Sequence, residues 1–179
     1  RRIIALLVMS CFVAGTFAKV PVMGNKIRLT DNWEFLRQDV GNIWELVRPI
    51  KKGQPEEQPI WTKVTLPHCF NAEDAVDPDL NYYQGPGWYK TRLKLDNPYP
   101  DGRVVLEFEG AGQKTDVYVY MTKVGSHVGG YDSWNVDITD AVRAFLASKE
   151  AERFGGEIPL SIRCDNTRDA EMIPSDLSD

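Results

Sequence analysis

The sequence predicts an all-β protein: an antiparallel β-sandwich of jelly-roll type with one short helix. Three observations point there. Short apolar runs with period-2 alternation recur along the chain, about eight in all, each bounded by Gly, Pro, Asn or Asp. No strand–helix alternation suggests a parallel sheet, and no internal repeat of a few tens of residues is visible. The run Asp116–Thr139 (D-V-Y-V-Y-M-T-K-V-G-S-H-V-G-G-Y-D-S-W-N-V-D-I-T) reads as a strand, a tight turn, a second strand, a Gly-Gly break and a third aromatic strand. That is a compact β-meander of the kind found at the centre of an antiparallel domain.

Each element follows from local chemistry. Residues 1–18 read as a signal peptide: Arg1-Arg2 start it, an apolar stretch follows to Gly15, and Thr16-Phe17-Ala18 places small residues for a cut before Lys19. The stretch is short for a bilayer span. Val8-Met9-Ser10-Cys11 loosely resembles a lipobox, so a lipid anchor at Cys11 is a minor alternative to plain export to the periplasm, cell surface or medium. Residues 19–25 form a linker, and 26–179 one domain. Ile27–Leu29 and Trp33–Leu36 read as short strands around Asp31-Asn32; Ile43–Val47 is apolar and ambiguous. Pro49–Pro59 is a polar loop, and Trp61–Leu66 a strand that stops at Pro67. Phe70–Pro86 is a long irregular stretch, and a loop of that length in a compact domain is usually functional or packed down. Trp88–Leu95 and Val104–Glu109 read as a hairpin around Pro98–Gly102. In the second of these, Val104, Leu106 and Phe108 face one way and Val105, Glu107 and Glu109 the other. Thr139 is placed to cap a helix whose apolar face is Val142, Phe145 and Leu146, and Ile158–Cys164 is the last strand.

The composition, 42% hydrophobic and 26% charged, supports one domain with a real core. A formal charge of −5 without a basic cluster argues against a nucleic-acid partner. No Gly-rich phosphate loop opens a helix, and no Gly-x-Ser-x-Gly turn presents a serine to His68 or His127. Both histidines read as structural residues. No cofactor is expected, and beyond the leader two histidines and two cysteines are too few for a zinc site. Cys164 sits on the apolar face of its strand and Cys69 in a loop; two reduced thiols is the reading, with a bridge as the alternative.

What remains is a set of aromatics and carboxylates. Sugars stack their C–H faces on Trp and Tyr and pair their hydroxyls with Asp and Asn. Tyr82, Tyr83, Trp88, Tyr131 and Trp134 are candidates for the first role. Asp74, Asp77, Asn81, Asp176 and Asp179 are candidates for the second. The alternative is that Trp88 and Trp134 are core residues.

Several segments, in order, resemble the N-terminal sugar-binding domain of glycoside hydrolase family 2, the family of bacterial β-galactosidases. They are Trp61–Asn71 (W-T-K-V-T-L-P-H-C-F-N), Tyr82–Tyr89 (Y-Y-Q-G-P-G-W-Y), Leu106–Gly112 (L-E-F-E-G-A-G), and V-Y-V, V-G-S-H-V-G-G-Y and D-I-T within Asp116–Thr139. Asp165-Asn166 and Ile173–Asp176 match as well. Tyr120-Met121 stands where the family usually has an Asn-Gly turn, and Gly156-Glu157 where it often has Gly-x-Asn. The resemblance implies a galactose-binding-like jelly roll that packs against later domains, an immunoglobulin-like one and a (β/α)₈ barrel. It places both catalytic glutamates of a retaining mechanism in that barrel. A barrel needs on the order of 250 residues. The later domains are therefore expected to be absent from this chain, and the chain to be inactive alone, with no catalytic residue. The resemblance also implies that Asp179, and with it Asp176, and Asn81 from the loop before G-W-Y, contact the sugar.

The expected function is thus that of an accessory domain of an exported family 2 glycosidase, most simply a β-galactosidase, with carbohydrate and the rest of the glycosidase as partners. Two rivals stand beside it: an autonomous carbohydrate-binding module, and a structural interaction domain whose uncovered apolar face drives homo-oligomer formation.

Overall fold

The computed structural model describes residues 26–49, 59–77, 79, 81–95 and 101–167. The leader, Cys11, the linker, nearly all of the Pro49–Pro59 loop, most of the Pro98–Gly102 turn, Asp176 and Asp179 lie outside the described residues.

The chain forms, in order, β1 (Trp33–Leu36), α1 (Trp44–Val47), β2 (Thr62–Val64), β3 (Pro86–Leu93), β4 (Val105–Phe108) and β5 (Lys114–Val119). There follow β6 (Thr122–Val128), β7 (Trp134–Asp137), α2 (Thr139–Leu146), α3 (Glu150–Arg153) and β8 (Ile158–Asp165). Six strands make an antiparallel sheet in the order β2-β1-β3-β8-β5-β6. β4 and β7 pair as a second, two-stranded layer, from Val105↔Asp137 to Phe108↔Trp134. This is the all-β sandwich that the alternation predicts.

β8 is the axis of the large sheet. It pairs with β3 from Pro86↔Asp165 to Leu93↔Ile158, and on its other edge with β5 from Lys114↔Asp165 to Val119↔Leu160. Alternate β8 residues Ile158, Leu160, Ile162 and Cys164 are buried in the core with Val117 and Val119 of β5, Tyr89 and Leu93 of β3, and Trp33 and Phe35 of β1. Val136, Ile138, Val142 and Phe145 close the core from the β7–α2 side. Each such aliphatic side chain contributes about 1.5–3 kcal/mol by leaving water. The opposite face of the sheet is polar, carrying Glu34, Lys90, Ser161, Arg163 and Asp116.

Several sequence expectations change. β3 and β4 are not a hairpin: both edges of β3 are taken by β1 and β8, and β4 crosses to the other layer to pair with β7. The Asp116–Thr139 run is likewise not a three-stranded meander. β5 and β6 form a hairpin, but β7 leaves it for the second layer. Ile27–Leu29 is not a strand; ion pairs of Lys26 with Glu107 and Arg28 with Glu109 tether it beside β4, and Ile27 is exposed. The ambiguous Ile43–Val47 segment ends in α1, so α2 is joined by two single-turn helices, α1 and α3, which meet where Arg153 Nη2 donates to the Val47 carbonyl at 2.8 Å. Thr139 is the first residue of α2 and Ile138 its N-cap; the Thr139 N–H donates to Asp137 Oδ1 at 2.9 Å. The Val104 N–H donates to Thr139 Oγ1 at 2.8 Å, so this threonine ties the helix start to the chain entering β4.

The β5–β6 turn bears on the missing Asn-Gly. Tyr120 takes φ 53°, a left-handed conformation uncommon outside glycine and asparagine. Its ring packs against Phe145 at 5.3 Å and Phe154 at 5.9 Å, and its N–H donates to the Pro159 carbonyl at 2.8 Å. Tertiary packing therefore stabilises a turn that local propensity disfavours.

Candidate functional site

The Asn71–Tyr83 loop and the residues that seat it are the candidate site that the sequence singles out. One helix-like turn opens it, with the Ala75 N–H donating to the Asn71 carbonyl at 3.0 Å. That turn directs Asp74 inward, where it is only 3% exposed. Arg37, just beyond β1, donates to Asp74 Oδ1 at 2.8 Å, and the Tyr83 N–H donates to Asp74 Oδ2 at 3.0 Å. These bonds, the one from Tyr83 first and that from Arg37 second, hold the Asp74 carboxyl below its ordinary pKa and keep it ionised. The Arg37 guanidinium also lies 5.1 Å from the Tyr83 ring centroid.

The Tyr83 carbonyl accepts two amide donors, Asn71 Nδ2 at 3.1 Å and Asn166 Nδ2 at 2.9 Å. Asn166 follows the last residue of β8. Its Oδ1 accepts from the Gly85 N–H at 2.8 Å, and its own N–H donates to the Gly85 carbonyl at 3.2 Å. Gly85 has φ +149°, and an added Cβ would stand 3.0 Å from the Tyr83 hydroxyl, which itself donates to the Pro86 carbonyl at 2.8 Å. At Gly87 an added Cβ would meet the Phe70 ring at 2.5 Å, so glycine lets the loop's first residues close over β3.

Beside this seat, the polar face of the sheet carries a second network. Asp39 accepts from Trp88 Nε1 at 3.2 Å and from Arg163 at 3.0 Å, and Trp88 packs on Tyr118 at 5.6 Å. Burial disfavours the Asp39 carboxylate, but its bonds to Arg163, Trp88 and Gly41 outweigh burial and its pKa is lowered. Asp116 on the same face pairs with Lys123 and accepts from Ser126. An open groove of about 800 Å³ lies farther along this face, walled by residues such as Glu34, Lys90, Arg92 and Phe154. Within it Lys90 pairs with Glu34 and Arg92 with Glu157.

The candidate aromatics divide. Trp88 is buried, 2% exposed, on the polar face rather than in the main core, and Trp134 is half-buried and stacked on Phe108 (4.3 Å) and His127 (4.7 Å). Tyr82 and Tyr131 are open to solvent, and Tyr83 is half-buried in the seat. Asn81 and Asp77 are exposed in the loop, whereas Asp74 serves the loop's own fold. His68 Nδ1 meets the Tyr89 hydroxyl at 2.8 Å and packs on Phe35, and burial lowers its pKa. His127 pairs with Asp132. Both histidines thus have structural partners. The thiols of Cys69 and Cys164 are free, the first exposed and the second buried; burial pushes the Cys164 thiol up to about 11, which leaves it unreactive. Among the described residues no group of three or more His, Cys, Asp or Glu could hold a metal ion, and no helix is long and apolar enough to cross a membrane.

Sequence reasoning missed Arg37, Asp39 and Arg163. It placed Asn166 only within a matching segment, without its role; the available signal was an asparagine directly after an apolar strand.

This fold and its matching segments place the chain in a known class. It belongs to glycosyl hydrolase family 2: the family's sugar binding domain matches residues 31–149. A crystal structure of Parabacteroides merdae β-glucuronidase is 76% identical, with a TM-score of 0.81 over 87% of this chain and 19% of that one. A β-glucuronidase 3 of Bacteroides uniformis is 68% identical, also with a TM-score of 0.81, over 87% of this chain and 20% of that one. A β-galactosidase of Thermoanaerobacter pseudethanolicus is 27% identical over 112 residues, 63% of this chain and 14% of the relative. The chain spans about a fifth or less of the length of these relatives.

Proposed function

We propose that this chain is the N-terminal domain of an exported β-glucuronidase that hydrolyses the O-glycosyl bond of β-glucuronides. The observation that carries the reading is the 76% identity to the Parabacteroides merdae β-glucuronidase over 87% of the chain. It favours glucuronides over the galactosides first expected, since the β-galactosidase relative is only 27% identical. Export rests on the basic, apolar and small-residue pattern of residues 1–18. On this reading the domain supplies no catalytic carboxylate. It presents the exposed Asn81 and Tyr82 toward the sugar, with Asp176 and Asp179 as further contacts supplied by the segment after β8. An amide for a hydroxyl pair and a ring for a C–H face is the chemistry a pyranose needs.

The test is a kinetic comparison in the full-length polypeptide between 4-nitrophenyl β-D-glucuronide and the matched galactoside. The glucuronide is expected to have the higher kcat/KM by about a hundredfold or more, because a site built for a charged or hydrogen-bonding group rejects an analogue lacking it. Preference for the galactoside would reverse the assignment. For export, the secreted or periplasmic protein is expected to begin at Lys19 by terminal sequencing; material retained in the cytoplasm with residues 1–18 intact contradicts it.

A further inference from the structure

The Asn71–Tyr83 loop is seated by a buried carboxylate rather than by its apolar side chains. One of its carboxylates, Asp74, is buried although Glu73, Asp77 and Asp79 around it are exposed, while Val76 is 81% and Tyr82 60% exposed. A loop folded only for stability would turn those apolar groups inward and leave Asp74 in water like the other three. Here polar bonds hold it, and they converge on two peptides. The Tyr83 peptide is held through its N–H by Asp74 and through its carbonyl by Asn71 and Asn166. The Gly85 peptide groups both go to Asn166. One asparagine at the exit of β8 thereby fixes the end of a loop more than eighty positions earlier in the chain, and does so two residues from Asn81.

We propose that Asn166 and Asp74 are positioning residues for substrate binding: by gripping the Tyr83 peptide from both sides they fix where Asn81 and Tyr82 stand relative to the exit of β8. This rests on the reading that the loop faces the sugar. Asn166 acts through Tyr83 and Gly85 and touches no substrate itself; Asp74 acts through Tyr83 and Arg37.

The experiment compares Asn166→Ala, Asp74→Asn and, as a control, Asp132→Ala, which breaks a pair with His127 outside the seat. All are made in the full-length polypeptide, and kcat and KM are read separately on the aryl glycoside that the wild type cleaves. Inhibition by the free sugar acid is measured alongside. Asn166→Ala is expected to raise KM and the inhibition constant together by about tenfold, since misplacement of a binding group by a fraction of an ångström is felt at that scale. Asp74→Asn raises both by less, because an amide oxygen still accepts from the Tyr83 N–H; Asp132→Ala changes neither. KM does not depend on how much of the enzyme is folded. A purely structural role would lower only the apparent kcat, and that result overturns the proposal. If Asn166→Ala yields no folded enzyme, Asn166→Asp decides. It keeps the acceptor for Gly85 but removes the donor to Tyr83, so KM is expected to rise, and an unchanged KM overturns the proposal. A wild type that cleaves neither the glucuronide nor the galactoside instead removes the functional reading, and this proposal with it.

Discussion

The Asn71–Tyr83 loop and the β5–β7 run are both rich in aromatic and polar residues, yet opposite forces hold them. In β5–β7 the apolar side chains point in: Val117, Val119 and Val136 are buried, and Trp134 stacks on Phe108 and His127. In the loop a few polar groups point in and hold it, with Asp74 buried and Asn71 and Asn166 on the Tyr83 carbonyl. Non-directional packing tolerates small shifts, whereas a hydrogen-bonded seat fixes a backbone position but depends on each partner. The first arrangement suits a scaffold and the second a contact surface.

Three substitutions break this contrast at different depths. Trp134→Ala, in the scaffold, is expected to have the largest effect, about 3 kcal/mol of stability lost by urea unfolding, because it deletes the ring shared by two stacks. KM should not change, and a raised KM would blur the division between the two regions. Asp74→Asn, in the seat, is expected to be milder and to depend on pH. The folded Asp74 pKa is depressed, by the Tyr83 N–H first and Arg37 second. Its contribution is therefore present above the ordinary carboxylate pKa and lost as pH falls through the depressed value. The stability gap between wild type and Asp74→Asn should be open at pH 7 and narrow on acidification; a constant gap would show that the charge plays no part. Lys123→Ala removes an exposed partner of Asp116 on the β5–β6 hairpin. It is expected to cost about 0.5 kcal/mol or less, since a surface ion pair is screened by solvent. A larger loss would move part of the scaffold's stability onto its polar face.

The strands were legible because alternation records which side chains are buried: Leu160, Ile162 and Cys164 on β8, and Leu106 and Phe108 on β4, lie on the faces the pattern predicts. Alternation does not record the partner, so β4 reads equally well as a hairpin with β3 or as a crossover to β7. The Tyr120 turn was opaque because its left-handed backbone is stabilised by Phe145 and Phe154, which are distant in sequence. The seat was opaque for a similar reason. In the sequence Asp74 looks like its exposed neighbours Glu73 and Asp77, and only Arg37 and Tyr83, brought together by the fold, account for its burial. The loop's length and composition marked it in the sequence as a candidate contact surface.

Amide hydrogen exchange read by mass spectrometry on the full-length polypeptide tests the central claim most directly. In the wild type, the Tyr83 and Gly85 amides should be protected to nearly the level of the β3–β8 ladder. Asn166→Ala should release them while β5–β6 peptides keep their protection. Rapid exchange of the Tyr83 and Gly85 amides in the wild type, or a uniform loss of protection across the domain in the variant, would contradict the account of a polar seat holding the Asn71–Tyr83 loop.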